Sequence, residues 1–397
     1  MKKLILLSLA VASSLYAGGY KIPETSVNGV ALCAANVAHS QNADAAYYNP
    51  ANMSFMADEN ALEADLMIVN LAPINFKGSG VQAGDDIDTE SEIFLIPSLN
   101  YVSPRYGDFR YGLSVAVPGG LSKRWSESPA VDKAEEFTLE VVEVNPTVAY
   151  AINDKVSVAA GVRIVYSSGI VKSTGTISRD MEGDSFDYGY NLALSYKPAP
   201  NLDLALTYRS NIDLTEEGTA KLGDASGDIV YEGGATVTVP LPALFNLAVA
   251  YTFESKTTVE FVYERNFWST YDVLDFGYAD DIGNLKPYFD DSIAKEWKDT
   301  NVFRLGVTQV MDTYTLMAGI VVDETPVPDK TVSYELPDSD SVSVSFGGRY
   351  DINKEWNLGA SVLYSMRDKR TVDNDDIEGE FSNANVLIVS VGVGYKF

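Results

Sequence analysis

Cysteine, histidine and basic residues are scarce in this chain of 397 residues. With one cysteine, Cys33, and one histidine, His39, the chain lacks an internal disulfide, a cysteine-rich zinc site and any metal centre with two histidines. Lys and Arg number 29 against 56 Asp and Glu, so the formal net charge is -27. Nucleic acid is therefore disfavoured as a partner, because phosphate binding needs clustered basic side chains.

Long apolar runs are also missing. Lys2 and Lys3 precede the apolar run Leu4–Ala12, which is too short to span a bilayer, and Leu15-Tyr16-Ala17 offers a cleavage site before Gly18. Residues 1–17 are therefore predicted to be a secretory signal peptide, although the large Leu at the third position before the cut leaves neighbouring sites open. Removing them leaves 27 bases and a charge of 27 − 56 = -29. Beyond this segment no run approaches the length of a membrane-spanning helix, which excludes a helical membrane protein.

Alternation with a period of two runs through the remaining sequence. Tyr (24) and Gly (30) are abundant, as in β-rich proteins. In the last segment one face carries Leu387, Val389, Val391, Val393, Tyr395 and Phe397, and the other carries Ser390, Gly392, Gly394 and Lys396. Segments 109–117 and 186–196 repeat the pattern. Each such strand has one apolar face and one small or polar face. The small face looks at water in a soluble sandwich and at the lumen in a membrane barrel.

Connection lengths favour the barrel. Fourteen strands are predicted to start near Leu62, Glu92, Phe109, Phe137, Val156, Phe186, Leu202, Val237, Thr257, Val302, Tyr314, Val342, Trp356 and Asn385. The links between them alternate strictly between short and long, which is typical of the periplasmic turns and outer loops of an even-stranded barrel. The prediction is an all-β membrane protein, a 14-stranded antiparallel transmembrane barrel formed by residues 61–397, in the bacterial outer membrane.

Residues 18–60 differ from the barrel segments. They are rich in Ala and Asn, contain a short helical pattern at 30–35, and have too little apolar surface to fold alone. A barrel of about 14 strands encloses more space than its own side chains fill. The segment is therefore predicted to be a plug inside the lumen.

Several short motifs resemble one family. They are Glu24 to Gly29, Asp44-Ala45-Ala46, Asn49-Pro50-Ala51, Leu206 to Ser210, Trp297-Lys298-Asp299, Thr325 to Pro328 and Leu336 to Asp340. In this order, over the whole mature chain, they resemble the FadL/TodX family of outer-membrane transporters of long-chain fatty acids and hydrocarbons. The resemblance implies a 14-stranded barrel with an N-terminal hatch at residues 18–60. The sequence departs from the family pattern at Ser341, where the family usually has Arg, so a loop ion pair is in doubt.

The hatch motif and the third strand each have a simpler interpretation. Asn49, Pro50 and Ala51 could form an ordinary turn, since Asn-Pro favours turn initiation. Pro118, Gly119 and Gly120 end the third strand, and Gly in a strand often marks a bend. The resemblance adds that this strand is kinked to open a side window in the wall.

Candidate ligand-binding residues are of two kinds. Arg163 and Lys172, both expected in the lumen, could hold a carboxylate, or could pair with the many acids there. Lys172 is preferred because it lies near the outer end of the fifth strand, where the resembling family places basic head-group contacts. The apolar candidates on a strand face are Phe94 and Ile96. The apolar candidates in an outer loop, where a hydrophobic ligand would be captured, are Phe267, Trp268, Tyr271, Phe276 and Tyr278.

The predicted function is passive uptake of long-chain fatty acids or other hydrophobic small molecules by a monomer without cofactor. A general porin or a surface adhesin or receptor barrel remains the alternative. An enzyme is disfavoured because the one histidine lies in the plug segment. Acidic runs at 85–88 and 373–376 suggest solvated loops, bridged through divalent cations to lipopolysaccharide, rather than a metal site, since Ile377 breaks the EF-hand pattern.

Overall fold

The structure, a computed structural model, describes residues 18–290 and 292–397. The predicted signal peptide, residues 1–17, therefore lies outside the described residues, as does Asp291. The described strands are β1 Ala61–Leu71, β2 Asn75–Gly78, β3 Asp86–Asp88, β4 Glu92–Val102, β5 Phe109–Ala116, β6 Gly120–Arg124, β7 Glu136–Asn153, β8 Val156–Thr174, β9 Ser178–Ala199, β10 Leu202–Arg209, β11 Ile212–Gly223, β12 Ile229–Leu241, β13 Leu244–Thr252, β14 Thr257–Asn266, β15 Val273–Leu274, β16 Phe276–Tyr278, β17 Ile293–Ala294, β18 Thr300–Val310, β19 Tyr314–Asp323, β20 Ser341–Asp351, β21 Trp356–Arg367, β22 Arg370–Asp373, β23 Glu378–Ser382 and β24 Val386–Lys396. The helices are α1 Val27–Ala31, α2 Ala45–Tyr48, α3 Val131–Ala134 and α4 Lys286–Phe289, with 3-10 turns at Pro50–Phe55, Gly80–Gln82, Trp268–Thr270, Gly283–Leu285 and Asp329–Thr331.

Fourteen wall strands close into an antiparallel barrel, as predicted. Numbered in chain order, wall strands 1 to 14 are β1, β4, β5 with β6, β7, β8, β9, β10 with β11, β12 with β13, β14, β18, β19, β20, β21 and β24, so wall strands 3, 7 and 8 are interrupted. Closure is made by β1, which pairs along its full length with β24 on one side and with β4 on the other. The short strands β2, β3, β22 and β23 form a separate small sheet in the long links.

The two faces of the wall have the composition that the alternation predicts. On β24, Leu387, Val389 and Val391 are exposed on the outside, whereas Ile388 and Ser390 are buried inside. In a closed sheet most backbone donors find an acceptor on a neighbouring strand, so the outer surface can carry a continuous apolar band. Among the described residues no helix is both long enough and apolar enough to cross a membrane.

Twelve predicted strand starts lie within two residues of the observed ones, and two are wrong. Wall strand 6 begins at Ser178 rather than near Phe186, and wall strand 8 begins at Ile229 rather than near Val237. The alternation of short and long links predicts long links before these two strands, at residues 172–184 and 211–235. Both are in fact strand extensions joined by tight turns. These extensions carry charged outward side chains, such as Asp180 and Glu182, so the apolar alternation stops there although the strand pairing continues.

Residues 18–54 are almost entirely buried and contact the inner faces of the wall strands. Their helix α1 packs against the inner faces of β20, β21 and β24. The inner face admits this approach because it carries glycine: a Cβ added to Gly319 would stand 2.4 Å from the carbonyl carbon of Leu32. Where the segment joins the wall, the Arg110 guanidinium donates to the carbonyls of Met53, Met56, Ala57 and Glu59.

Asp44 organises the lower part of this segment. Its carboxylate accepts hydrogen bonds from Ser26 Oγ at 2.8 Å and from Asn28 Nδ2 at 3.0 Å. Burial, together with the nearby Glu63 carboxylate, raises the pKa of Asp44 to about 7, although Arg349 opposes the rise. An acid whose pKa is raised in the folded state favours folding most when it is protonated. Docking of the segment is therefore expected to weaken as the pH rises toward 7.

The topology is tested by surface labelling in intact cells, with Cys33 replaced. Cysteine introduced at Asp275 or Asp375, both exposed in long links, should react with an impermeant maleimide. Cysteine at Asp154 or Asn353, in the short turns at the opposite end, should react only after the cells are broken. Labelling at Asp154 in intact cells would contradict the assigned orientation.

Asp44→Asn should reduce the pH dependence of docking. The amide keeps the shape of the side chain and carries no charge. Brief openings of the purified wild type in planar bilayers should therefore become more frequent as the pH rises from 5 to 8, whereas Asp44→Asn should show a smaller rise. Asp44→Ala is the matched control, because it loses the hydrogen bonds as well and should open more often at every pH. If Asp44→Asn retained the wild-type pH profile, the assignment would be disproved.

Candidate functional site: two cavities in the lumen

The upper cavity is mainly apolar and lies under the long loops at 267–299 (loop A) and 324–340 (loop B). It is lined by Tyr20, Leu121, Phe137, Thr138, Leu139, Gly169, Val171, Glu216, Val237, Val239, Tyr271, Lys295, Trp297, Val327, Thr331, Ser333, Glu335 and Leu336. Wall strands 3, 4, 5, 7 and 8 supply its floor and sides, since their inner faces change from polar to aliphatic at this height. Such a lining suits a hydrophobic molecule.

The two loops are bonded to each other above this cavity. Lys295 of loop A forms an ion pair with Glu335 of loop B, and Thr331 Oγ1 donates to the carbonyl of Lys295 at 2.6 Å. Burial would raise the pKa of Glu335, but the Lys295 ammonium outweighs it and holds that pKa below its ordinary value. The cavity therefore has one ion pair in a mainly apolar lining that also includes the acid Glu216, and that pair joins the loops that cover the cavity.

The lower cavity lies beside the N-terminal segment and is lined by Lys21, Ile22, Pro23, Ala34, Val37, Tyr47, Tyr48, Pro50, Pro118, Arg163, Asn191, Leu192, Thr207, Tyr208, Arg209, Leu241, Pro242, Leu244, Asn246 and Glu264. Two guanidinium groups reach it from wall strands 5 and 7. Arg163 Nε donates to Glu143 at 2.7 Å, and Arg209 also pairs with Glu143. Two cations therefore share one carboxylate.

Arg209 has an unused donor. Its guanidinium lies over the ring of Tyr47, 4.6 Å from the ring centre, and among the described residues its Nη1 has no hydrogen-bond partner although it is buried. A buried donor without an acceptor is costly. The lower cavity thus offers a charge-assisted hydrogen bond to an incoming anion while apolar and aromatic groups surround it.

Residues 20–23 separate the two cavities. Tyr20 lines the upper one, whereas Lys21, Ile22 and Pro23 line the lower one. This partition is pinned to the wall at the interruption of strand 3: Ile22 N donates to the Pro118 carbonyl at 2.9 Å, and the next backbone bond runs from Gly120 N to the Tyr20 carbonyl at 2.7 Å. Lys21 adds an ion pair with Glu264.

Strand pairing is incomplete at the same place. β4 pairs with β5 only along Leu99–Val102, and pairing between wall strands 2 and 3 resumes only above the interruption, where Glu90 N donates to the carbonyl of Arg124 at 3.0 Å. Between these points the described part of β4, residues 92–98, has no ladder to wall strand 3. Pro118 cannot donate, and a Cβ on Gly119 would stand 2.9 Å from the Tyr20 carbonyl oxygen. The partition therefore covers a gap in the wall from inside.

The two basic candidates from the sequence lie on opposite faces of the wall. Arg163 is buried and lines the lower cavity, where it pairs with Glu143 as the simpler interpretation holds. Lys172, expected in the lumen, lies on the outer face. It shares that face with Val162 and Tyr166, because the register of β8 is unbroken, and it pairs with Glu136 and Asp180 outside.

The apolar candidates occupy different places. Phe94 and Ile96 do face inward, but they pack with Ile22 and Val30 of the N-terminal segment and line neither cavity. Trp268 is buried with its ring edge-on to Tyr20 at 4.9 Å. Two loop A residues lie away from the cavities. The guanidinium of Arg179 lies over the ring of Phe276, 4.3 Å from the centre of that ring, and Phe267 is exposed.

The hatch motif has contacts beyond those of a turn. Asn49 Nδ2 donates to the Val37 carbonyl at 2.7 Å and to Ser195 Oγ of the wall at 2.9 Å, while its Oδ1 accepts from Ala51 N at 3.1 Å. Pro50 begins a 3-10 turn and lines the lower cavity.

The loop acid near Ser341 has a basic partner from another strand. Arg367 Nη1 donates to Asp338 at 2.8 Å, and both side chains are fully buried. An ion pair is therefore present in this loop although Ser341 cannot supply its cation.

The sequence reasoning missed the residues that complete both cavities: Tyr20, Lys21, Arg209, Lys295 and Glu335. Arg209 lies within the motif at 206–210, and Lys295 lies two residues before the motif at 297–299. These positions were the only signal for them in the sequence. No sequence signal pointed to Lys21, because its partner Glu264 is more than two hundred residues away in sequence.

Comparison with known proteins gives consistent results. The chain is similar to the "Long-chain fatty acid transport protein" of Salmonella typhi, with 22% identity over 401 residues that cover 89% of this chain and 88% of that protein. It is similar to the "47 kDa outer membrane protein" of Pasteurella multocida, with 23% identity, 98% of this chain and 96% of that protein.

Two solved structures show the same fold. A FadL homologue of Pseudomonas aeruginosa superposes with a TM-score of 0.84 at 19% identity, covering 95% of this chain and 99% of that one. The toluene transporter TodX of P. putida superposes with a TM-score of 0.74 at 18% identity, covering 96% and 99%. The family model described as outer membrane protein transport protein (OMPP1/FadL/TodX) matches residues 8–397. The chain is an outer-membrane β-barrel and belongs to the FadL/TodX family of transport proteins.

Proposed function

We propose that this barrel takes up long-chain fatty acids, or hydrophobic small molecules with one acidic group, by passive transport. The observation that carries the proposal is the pair of largely apolar cavities divided by residues 20–23, each with a cationic group at its wall. Relatives named for long-chain fatty acid transport and a toluene transporter support the broader substrate class.

In the upper cavity, the ligand is held by the apolar and aromatic lining below loops A and B. Its tail replaces water against Leu139, Val171 and Trp297, which contributes about 25 cal/mol per Å² of apolar surface buried. Entry requires loops A and B to part, and the Lys295–Glu335 pair is their charged contact. A carboxylate can replace Glu335 as the acceptor for the Lys295 ammonium, so an acidic ligand lowers the cost of that opening.

In the lower cavity, the carboxylate moves to Arg209. The ligand supplies the acceptor that Arg209 Nη1 lacks, and the shared Glu143 remains bonded to Arg163. Charge balance favours this step, since the two guanidinium groups and one carboxylate leave a net charge of +1 in the cluster. An uncharged hydrocarbon gains nothing from it.

Passage from the upper to the lower cavity requires residues 20–23 to move. The same movement breaks the bonds to Pro118 and Gly120 and uncovers the unpaired edge of β4, so release through the wall is coupled to passage. Residues 18–60 thus act as a hatch, and Pro118 to Gly120 form the window. Transport needs no energy source beyond consumption of the ligand on the inner side.

A general porin is the weaker alternative. An open porin needs a continuous, charged water path, whereas the lumen here is occupied by the buried residues of the hatch. An adhesin role would leave the paired cavities without a use.

Deleting Gly19 to Val27 should join the cavities while leaving a heat-modifiable barrel, because the wall strands keep their mutual hydrogen bonds. We expect ligand content after purification to fall at least several-fold and ion conductance in bilayers to rise. Unchanged conductance together with unchanged uptake would show that this segment is a linker.

Arg209→Met should separate acidic from neutral ligands. Retention of long-chain fatty acids should fall about tenfold, the effect of losing one charge-assisted hydrogen bond, whereas binding of an uncharged alkane or toluene should be unchanged. Lys172→Met is the matched control, because Lys172 lies outside the lumen and its loss should alter neither ligand. The measurement is fatty acid and hydrocarbon binding to the purified barrels, with mass spectrometry of the lipid extracted from the wild type.

Equal losses for both ligand types in Arg209→Met would contradict the carboxylate assignment. Free passage of small sugars through the wild type, without bound hydrophobic molecules, would contradict the transport proposal itself.

A further inference from the structure

Asp323 is a buried acid whose carboxylate forms no ion pair within the described residues. It ends β19, faces the lumen and is 6% exposed, and its Oδ1 has no hydrogen-bond partner among the described residues. No cation of the described chain lies within ion-pair distance of its carboxylate. A buried, unpaired carboxylate is unfavourable, so a site of this kind calls for a positive charge.

The nearest charged side chains are already engaged. Lys21 pairs with Glu264, and Arg304 bridges Glu24 and Glu264. Asp338, the acid on the other side, pairs with Arg367. Around Lys21 and Arg304 there are thus two cations and three acids, with Asp323 as the third. One positive charge is missing from the cluster.

Gly18 stands directly beside this carboxylate. A Cβ added to Gly18 would lie 2.8 Å from Asp323 Oδ2 and 3.0 Å from Oδ1. A side chain is excluded there, but these are the distances of a charge-assisted N–H···O contact. The α-nitrogen and Cβ are both substituents of Cα at nearly equal bond lengths. When nothing precedes Gly18, rotation by about 120° around its Cα–C bond places the nitrogen where Cβ would stand.

The next residue fixes the position of this end. Gly19 N donates to Asp338 Oδ2 at 3.2 Å, and a Cβ on Gly19 would collide with the rings of Trp268 and Trp297. The Gly18 carbonyl is therefore held while its amino end is free to turn toward Asp323.

We infer that signal cleavage falls between Ala17 and Gly18 and that the α-ammonium of Gly18 created by it forms an ion pair with Asp323. Hydrolysis of the Ala17–Gly18 peptide bond adds water, giving the Ala17 carboxylate to the leader and the amine to the mature chain, where it is protonated. The new charge completes the cluster and fastens the hatch at the boundary of the upper cavity. Processing thereby locks the partition as well as releasing the protein.

The experiment reads the α-amine itself. Intact-mass spectrometry of the purified protein should give Gly18 as the first residue. Acetylation by an N-hydroxysuccinimide ester, which attacks only the unprotonated amine, should then be slow at Gly18 in the folded wild type and at least tenfold faster in Asp323→Asn. Asp368→Asn, which changes an exposed loop acid, is the control and should keep the wild-type rate.

A second variant leaves the wall unchanged. One alanine inserted between Ala17 and Gly18 displaces the amine from Asp323, provided that the mature chain starts at the insert, and should accelerate acetylation as Asp323→Asn does. Heat modifiability shows that each barrel is folded. A mature chain starting at another residue, or equal acetylation rates in wild type and Asp323→Asn, would overturn the inference.

Discussion

The buried charge cluster of Lys21, Glu24, Glu264 and Arg304 joins the N-terminal segment to the wall of the barrel. Arg304 Nη1 donates to the Cys33 carbonyl at 2.9 Å as well as reaching Glu24, and Lys21 reaches Glu264. Such charges are costly to bury, and removing one partner leaves the other uncompensated. The segment is therefore held in one register against β14 and β18, and the position of residues 20–23 between the cavities depends on it.

Because of this anchorage, the same segment closes the lumen and, in the proposed mechanism, moves locally to let a ligand pass. The partition is held to the wall by two backbone hydrogen bonds at the bend of wall strand 3 and by the Lys21–Glu264 ion pair. Its departure breaks these contacts, while the Arg304 contacts with Glu24 and the Cys33 carbonyl and the Asp44 network keep the rest of the segment in place. Small local movements are cheaper than expulsion of a whole segment, because local stability varies within a fold. The barrel therefore need not become an open pore in order to pass a ligand.

The wall was predictable because its physics is periodic. Outward side chains must be apolar and inner ones small or polar, so the starts of β1, β4, β5 and β24 could be placed to within two residues. The pattern fails where strands extend beyond the apolar band. There Lys172 could be assigned to a strand end but not to a face, since a shift of one residue moves a side chain from lumen to exterior.

The cavities could not be derived in the same way. Their charged residues, such as Arg209 and Lys295, are chosen by contacts between wall strands, loops and the N-terminal segment that are remote in sequence. The sequence of the inner face nevertheless indicates where the N-terminal segment contacts the wall. A lumen that only held water would tolerate side chains of any size, whereas Gly112, Gly319 and Gly347 face the N-terminal segment at points where an added Cβ would overlap Met53, Leu32 or Ala31. Glycine weakens a strand, so it is expected there mainly where another part of the chain approaches closely. Glycines on the inner face therefore indicate that a segment is docked against the wall.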